Sequence, residues 1–173
     1  TYMNLRNHRK ILTVDGRIGF TGSMNIHEGH QLNLNPRQPC QDVHFRLAGP
    51  VVSQLQDAFK TDWHFSTEEM LKGHDWFPAP VECGTVMARG IADGPDEDFE
   101  KCRWTILGAL AHAKKSVRIV TPYFLPDAGL ITALNVVALS GIRVDIVLTG
   151  DNDLFLVDWA AEAMLWQVLE RGC

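Results

Sequence analysis

Apolar residues recur at two spacings along the chain, and the change from one to the other organises it. Ile11 to Val14 is an apolar, β-branched run, Asp15-Gly16 follows as a strong two-residue turn signal, and Arg17 to Thr21 returns as a second strand. Residues 26–41 are polar, carry Pro36 and Pro39, and predict a loop. Asp42-Val43-His44-Phe45-Arg46-Leu47 alternates with the period of a strand.

From Gly49-Pro50 the spacing becomes helical, with Val51, Val52, Leu55, Ala58, Phe59 and Asp62/Trp63 recurring on one side. Residues 66–83 hold Gly73, Pro78 and Pro80 without periodicity and predict a linker. Thr85 to Ala92 reads as a strand and Asp93-Gly94-Pro95-Asp96 as a turn. A helix is expected from Asp98 to about Lys115, with Phe99, Cys102, Ile106, Leu110 and Ala113 on its apolar face. Ser116 to Thr121 is a β-branched core strand, Asp127 an N-cap, and Gly141 the stop of the helix carrying Leu130, Leu134, Val137 and Ala138. Ile142 to Leu148 is the next strand, and a last helix spans about Asp153 to Arg171. This helix–strand–helix–strand–helix order implies a parallel pair with crossover connections, hence an α/β protein.

Composition narrows the functional classes. With 173 residues, 46% hydrophobic and 21% charged, the chain can bury a sizeable core. Its net charge of −5 disfavours nucleic acid as a partner without excluding a local basic site. Cys40, Cys83, Cys102 and Cys173 form no CxxC and suggest thiols in a reducing compartment rather than a zinc site or disulfide framework. No apolar run is long enough to span a bilayer, and no signal-peptide pattern opens the chain.

The chemistry gathers in residues 7–25. His8 and Lys10 stand two apart, so a strand points both to one face. Gly22-Ser23 ends the return strand and lets Asn25 swing back to that end. An imidazole, an ammonium, a hydroxyl and an amide then converge, a set suited to holding a phosphoryl group and attacking it with the ring. Asp15 reads equally as a turn-stabilising residue and as part of the chemistry. Asp42 is a strand-end carboxylate. His27-Glu28-Gly29-His30 lacks the spacing of a helical metal pair and reads as loop. Lys114-Lys115 suits a helix end. Trp76-Phe77, in the linker, is open to contact with lipid; the other tryptophans are core or interface residues.

The pattern HxKxxxxDG followed by GxTGSxN, met here by His8, Lys10, Asp15, Gly16, Gly22, Ser23 and Asn25, resembles the signature of the phospholipase D superfamily. The resemblance continues. Residues 42–50 and the helix ending in Asp62-Trp63 are similar to the segment after the first catalytic motif of bacterial cardiolipin synthases. Gly94-Pro95-Asp96 with residues 121–127 resembles the opening of their second repeat, and residues 156–172 the helix before their second motif. The resemblance implies a mixed sheet flanked by helices, with the C-terminal half of a first repeat at 1–65, a linker at 66–84 and the N-terminal half of a second repeat at 85–173.

It also implies roles. His8 would be the nucleophile that forms a phosphohistidine, Lys10 and Asn25 would hold the non-bridging oxygens without metal or cofactor, and Asp42 would match the acid that fixes the nucleophile's tautomer. His27, His30, His44, His64, His74 and His112 are all read as lacking a Lys two residues on, so the chain is read as holding one His-x-Lys only. The first-step acid must then come from elsewhere, and the expectation is the central part of a longer enzyme, inactive as a monomer, with a homodimer or an exchange of halves completing it. The implied substrate is a phosphatidylglycerol-like phospholipid at a membrane surface, with a location at the bacterial cytoplasmic membrane or in the cytoplasm. The rival readings are a nuclease or other phosphodiesterase of the superfamily, and a catalytically incomplete module.

Overall fold

The computed structural model describes residues 7–94, 100–150 and 155–173. The chain divides into two compact units, Thr1–Asp98 and Phe99–Cys173. Each is α/β in its own way.

In the first unit, β1 (Ile11–Val14), β2 (Ile18–Gly22) and β3 (His44–Ala48) form an antiparallel sheet in that order. The β1–β2 turn is the one Asp-Gly predicts: Asp15 and Gly16 have φ of +53° and +59°, and Arg17 N–H donates to Val14 O at 3.0 Å. Gly16 is required twice over, because a Cβ there would also lie 2.5 Å from Pro78 Cδ. Helix α1 (Val51–Thr67) packs on all three strands and buries Val51, Val52 and Leu55. Each such side chain contributes about 1.5–3 kcal/mol by leaving water. Leu55 approaches the sheet so closely that a Cβ on Gly19 would sit 2.7 Å from its Cδ1. Beside this small core lies Gln56, only 3% exposed, whose side-chain oxygen accepts from the Thr13 hydroxyl.

The expected linker packs on this unit. Leu71 is buried, Lys60 lies 5.1 Å over the Phe77 ring, and Trp63 Nε1 donates to Glu69 at 3.0 Å. Thr85 to Ala92 is not a strand, contrary to expectation. Its backbone finds no ladder, and Gly90 N–H goes instead to the Gln54 side chain at 2.6 Å.

The second unit runs α2 (Lys101–His112), β4 (Ser116–Val120), α3 (Ala128–Leu139), β5 (Arg143–Val147) and α4 (Phe155–Leu169). Strands β4 and β5 pair in parallel, Val117 opposite Val144 and Ile119 opposite Ile146, as the crossover order requires. Leu110, Phe124, Ile131, Leu134, Val137, Val144 and Val168 make one core. Asp127 caps α3 by accepting from Leu130 N–H at 2.8 Å, and Gly141 ends it at φ +82°. Pro95, Asp96 and the expected helix starts at Asp98 and Asp153 lie outside the described residues.

Helix α2 buries Leu110 of its expected face but not the rest of it. Cys102 and Ile106 are exposed, whereas Arg103, Leu107 and Leu110 face inward. Arg103 Nε donates to Asp127 Oδ2 at 2.6 Å, an ion pair that ties α2 to the cap of α3.

Candidate active site

Residues 7–10 lead into β1 with alternating directions. Asn7 and Arg9 turn to α1, where Asn7 Nδ2 and Arg9 Nη1 each donate to one oxygen of Asp62 at 2.6 Å. Arg9 also reaches Asp93 O at 3.2 Å. His8 and Lys10 share another grouping: the Lys10 ammonium donates to His8 Nδ1 at 3.0 Å and to His8 O at 2.8 Å. The clamp on Asp62 thus fixes the backbone from which the imidazole and ammonium project. In the sequence Asp62 stands as a helix position, itself without a mark of this clamp. The signal lies in the polar pair Asn7 and Arg9, interleaved with His8 and Lys10.

The pairing has a chemical consequence. With Nδ1 accepting from the ammonium, a neutral His8 ring carries its proton on Nε2. Attack through Nε2 needs that proton moved to Nδ1, with an acceptor there in place of Lys10.

The register puts Ile11 opposite Thr21 and Gly22 opposite His44, so residues 8–10, 22–25 and 42–43 run past the same end of the sheet. There the Ser23 hydroxyl donates to Asp42 Oδ1, which also accepts from Val43 N–H at 2.7 Å. The Ser23 hydrogen bond, aided by the Val43 amide and the neighbouring His30 and His44 and opposed by desolvation, holds the Asp42 carboxyl below the usual carboxylate value. Gly22 makes this approach possible, since a Cβ there would lie 2.5 Å from Val43 O and 2.7 Å from His44 Nδ1. Asn25 N–H donates to His30 Nε2 at 3.3 Å, leaving its amide side chain exposed.

The predicted site residues therefore fall into two groups, His8 with Lys10 and Ser23 with Asp42, with Asn25 beside the second. Among the described residues no hydrogen bond joins the groups. Asp42 is bonded to Ser23 and not to His8, which differs from the role the resemblance gave it. Asp15 lies at the opposite end of β1, in the turn. A cleft at that far end is lined by Gly16, Arg17, Gly49 and Pro78 to Cys83, and none of the candidate chemistry faces it.

The chain also contains a second His-x-Lys, contrary to the reading of one: His112-Ala113-Lys114. It closes α2, its His112 Nδ1 lies 2.8 Å from Gly108 O, and Ile119 stands where the signature has Asp. It therefore lacks the hairpin context of His8. No helix among the described residues is long and apolar enough to cross a membrane.

Residues 106–173, within the second unit, match the family described as cardiolipin synthase, PLD-like domain. The similarity extends to the unit that carries His8, and the chain is phospholipase D-like and cardiolipin-synthase-like over nearly its whole length. It is 35% identical over 98% of its residues to the major cardiolipin synthase of Bacillus subtilis, covering 36% of that protein. It is 36% identical to a cardiolipin synthase of Geobacillus kaustophilus and 33% identical to one of Staphylococcus aureus, each over 98% of the chain. The chain spans about a third of the length of these relatives, 34% and 35% in the latter two. No solved structure matches it.

Proposed function

We propose that this chain contributes one nucleophile-bearing half of a composite site for phosphatidyl transfer, of the cardiolipin synthase or phospholipase D type. The observation that carries the reading is the His8–Lys10 pair, moored through Asn7 and Arg9 to Asp62. His8 attacks phosphorus and the leaving alcohol departs with its electron pair, giving a phosphohistidine; Lys10 and Asn25 neutralise and bind the non-bridging oxygens. Ser23, held by Asp42, borders the same end. Asp15 serves the turn. A second imidazole, from a further His-x-Lys segment or another copy, protonates the leaving alcohol and then activates the acceptor, water or a lipid hydroxyl.

A lipid substrate is favoured over nucleic acid by the residues around Asn25. Met24, Ile26, Leu32 and Leu34 are all exposed, Ile26 and Leu34 most of all, and they lie on the loop that leaves β2. An apolar rim beside a phosphate seat suits an acyl-bearing substrate at a membrane surface and offers nothing to a polynucleotide backbone. Ile106 on α2 and Leu156, Trp159, Trp166 and Leu169 on α4 are exposed as well, which supports association of the second unit with a further layer, whether a longer chain or an exchanged half.

The test uses a leaving group that needs no acid. A p-nitrophenyl ester of phosphatidic acid and one of thymidine phosphate are offered side by side, and nitrophenolate release and acid-labile labelling of His8 are followed. Faster release and labelling from the lipid ester, abolished by His8→Ala, are expected. Labelling only by the nucleotide ester would sink the lipid reading, and labelling that survives His8→Ala would sink the nucleophile assignment. With unactivated phosphatidylglycerol, a monomer is expected to be inactive.

A further inference from the structure

His30, Cys40 and Asp42 converge although the sequence separates them across a loop. His30 ends the short 3-10 turn Glu28–His30, and Cys40 and Asp42 flank Gln41 just before β3. One donor atom from each, an imidazole nitrogen, the thiol sulfur and a carboxylate oxygen, lies within 4.8 Å of the other two. From this geometry we infer that the loop is a binding site for a borderline-soft divalent cation of the zinc type, with His30, Cys40 and Asp42 as its protein ligands.

The donor set is the first support. Imidazole, thiolate and carboxylate are the three zinc-binding side chains, and bond lengths of about 2.0–2.3 Å need the donors to contract by only ~1 Å. The state of the His30 ring is the second. Its Nδ1 lies 3.2 Å from Cys40 O, so Nδ1–H donates to that carbonyl and the lone pair resides on Nε2. A backbone carbonyl that fixes the ring and its tautomer in this way is a usual outer contact of a metal-bound histidine. Among the described residues Nε2 receives the 3.3 Å bond from Asn25 N–H, which a metal would replace.

Preorganisation is the third support. Cys40 N–H donates to Gly29 O at 2.9 Å, pinning the two ligand segments to each other. Gly29 is buried, and a Cβ on it would lie 2.7 Å from Gln38 O, so the loop is closed tightly here. His27 is the side chain that a metal reading of the sequence would pair with His30. It takes no part, because its Nδ1 caps the same turn by accepting from Gly29 N–H at 3.0 Å.

Binding releases the Cys40 thiol proton to solvent and leaves thiolate and carboxylate to balance the two positive charges. Water or the nearby Ser23 hydroxyl completes the sphere. Since Asp42 also holds Ser23, and His30 also holds the Asn25 backbone, the cation would grip two residues at the edge of the candidate active site. The inference itself does not depend on the proposed reaction.

The test is titration of the full, reduced chain with Co²⁺, following the thiolate-to-metal charge-transfer band, then displacement by Zn²⁺ in competition with a chromogenic chelator. One equivalent is expected to bind with a thiolate band. Cys40→Ser should abolish the band while Cys83→Ser and Cys102→Ser keep it, and His30→Gln should weaken Zn²⁺ binding about tenfold or more. X-ray absorption on the zinc-loaded wild type, which needs no variant, should give sulfur together with nitrogen and oxygen neighbours. Absence of stoichiometric binding, a band that persists in Cys40→Ser, unchanged affinity in His30→Gln, or a sulfur-free zinc shell would each overturn the inference.

Discussion

The two units reach the same α/β class by different means. The first has a small apolar core of Val51, Val52, Leu55 and Leu71, and it is fastened by polar pairs: Thr13 with Gln56, Arg9 and Asn7 with Asp62, Ser23 with Asp42. The second rests on a larger continuous core around Leu134 and Val168, and its ion pairs among the described residues, Arg103 with Asp127 and Arg118 and Arg143 with Asp145, lie outside that core. The contrast follows from the chemistry. Polar pairs define side-chain positions more sharply than apolar contacts do, and the unit that carries His8 and Lys10 is the one built from them.

The comparison can be broken by substitution, and the largest effect belongs to the second unit. Leu134→Ala, at a fully buried side chain, should cost about 2–5 kcal/mol in denaturant unfolding. It should leave the chemistry at His8 untouched.

Gln56→Ala in the first unit strands the Thr13 hydroxyl and should cost about 1–3 kcal/mol. The double replacement Thr13→Val with Gln56→Leu should recover most of that loss. Failure of the double variant to recover would mean that the pair does not fasten α1 to β1.

Asp62→Ala should cost only about 1 kcal/mol, because its ion pair with Arg9 is partly solvated. It should nevertheless slow nitrophenolate release by several-fold, since His8 loses its mooring. Equal rates in the variant and wild type would separate the clamp from the chemistry.

The smallest effect is in acid. The Asp42 carboxyl is lowered in the folded state, chiefly by Ser23. Its stabilisation is therefore fully present above the unfolded carboxylate value, ~3.9, and is lost as pH falls through the lower folded value. Ser23→Ala should shallow the acid limb of the stability profile, measured as unfolding midpoints below about pH 4. An unchanged limb would rule out the Ser23 bond as its source.

Local features were legible in the residues. The Asp15-Gly16 turn, the Asp127 cap, the Gly141 stop and the β-branched strands follow from the conformations those residues favour, and neighbours along the chain decide them. Features set by distant polar partners were not. The Arg103–Asp127 ion pair that ties α2 to the cap of α3 leaves no mark in the periodicity of apolar residues. Thr85 to Ala92 has strand-like residues but no strand to pair with, and its Gly90 amide was taken by Gln54. At the candidate site, the motif located His8, Lys10, Ser23 and Asn25, yet the partners of Asp42 and the meeting of His30 with Cys40 depend on how a proline-bearing loop closes.

Helix α1 also acts as a ruler. Val51, Val52 and Leu55 bury its start, while Asp62 stands about 10–17 Å further along the axis at about 1.5 Å per residue. Each residue also turns the helix by about 100°. The phase of Asp62 is thus counted out from the core, and a one-residue deletion between Gln56 and Asp62 would swing the carboxylate away from Arg9 without removing a single buried side chain. The length of that helical stretch, together with the Asp62 carboxylate, decides where the clamp on Asn7 and Arg9 falls.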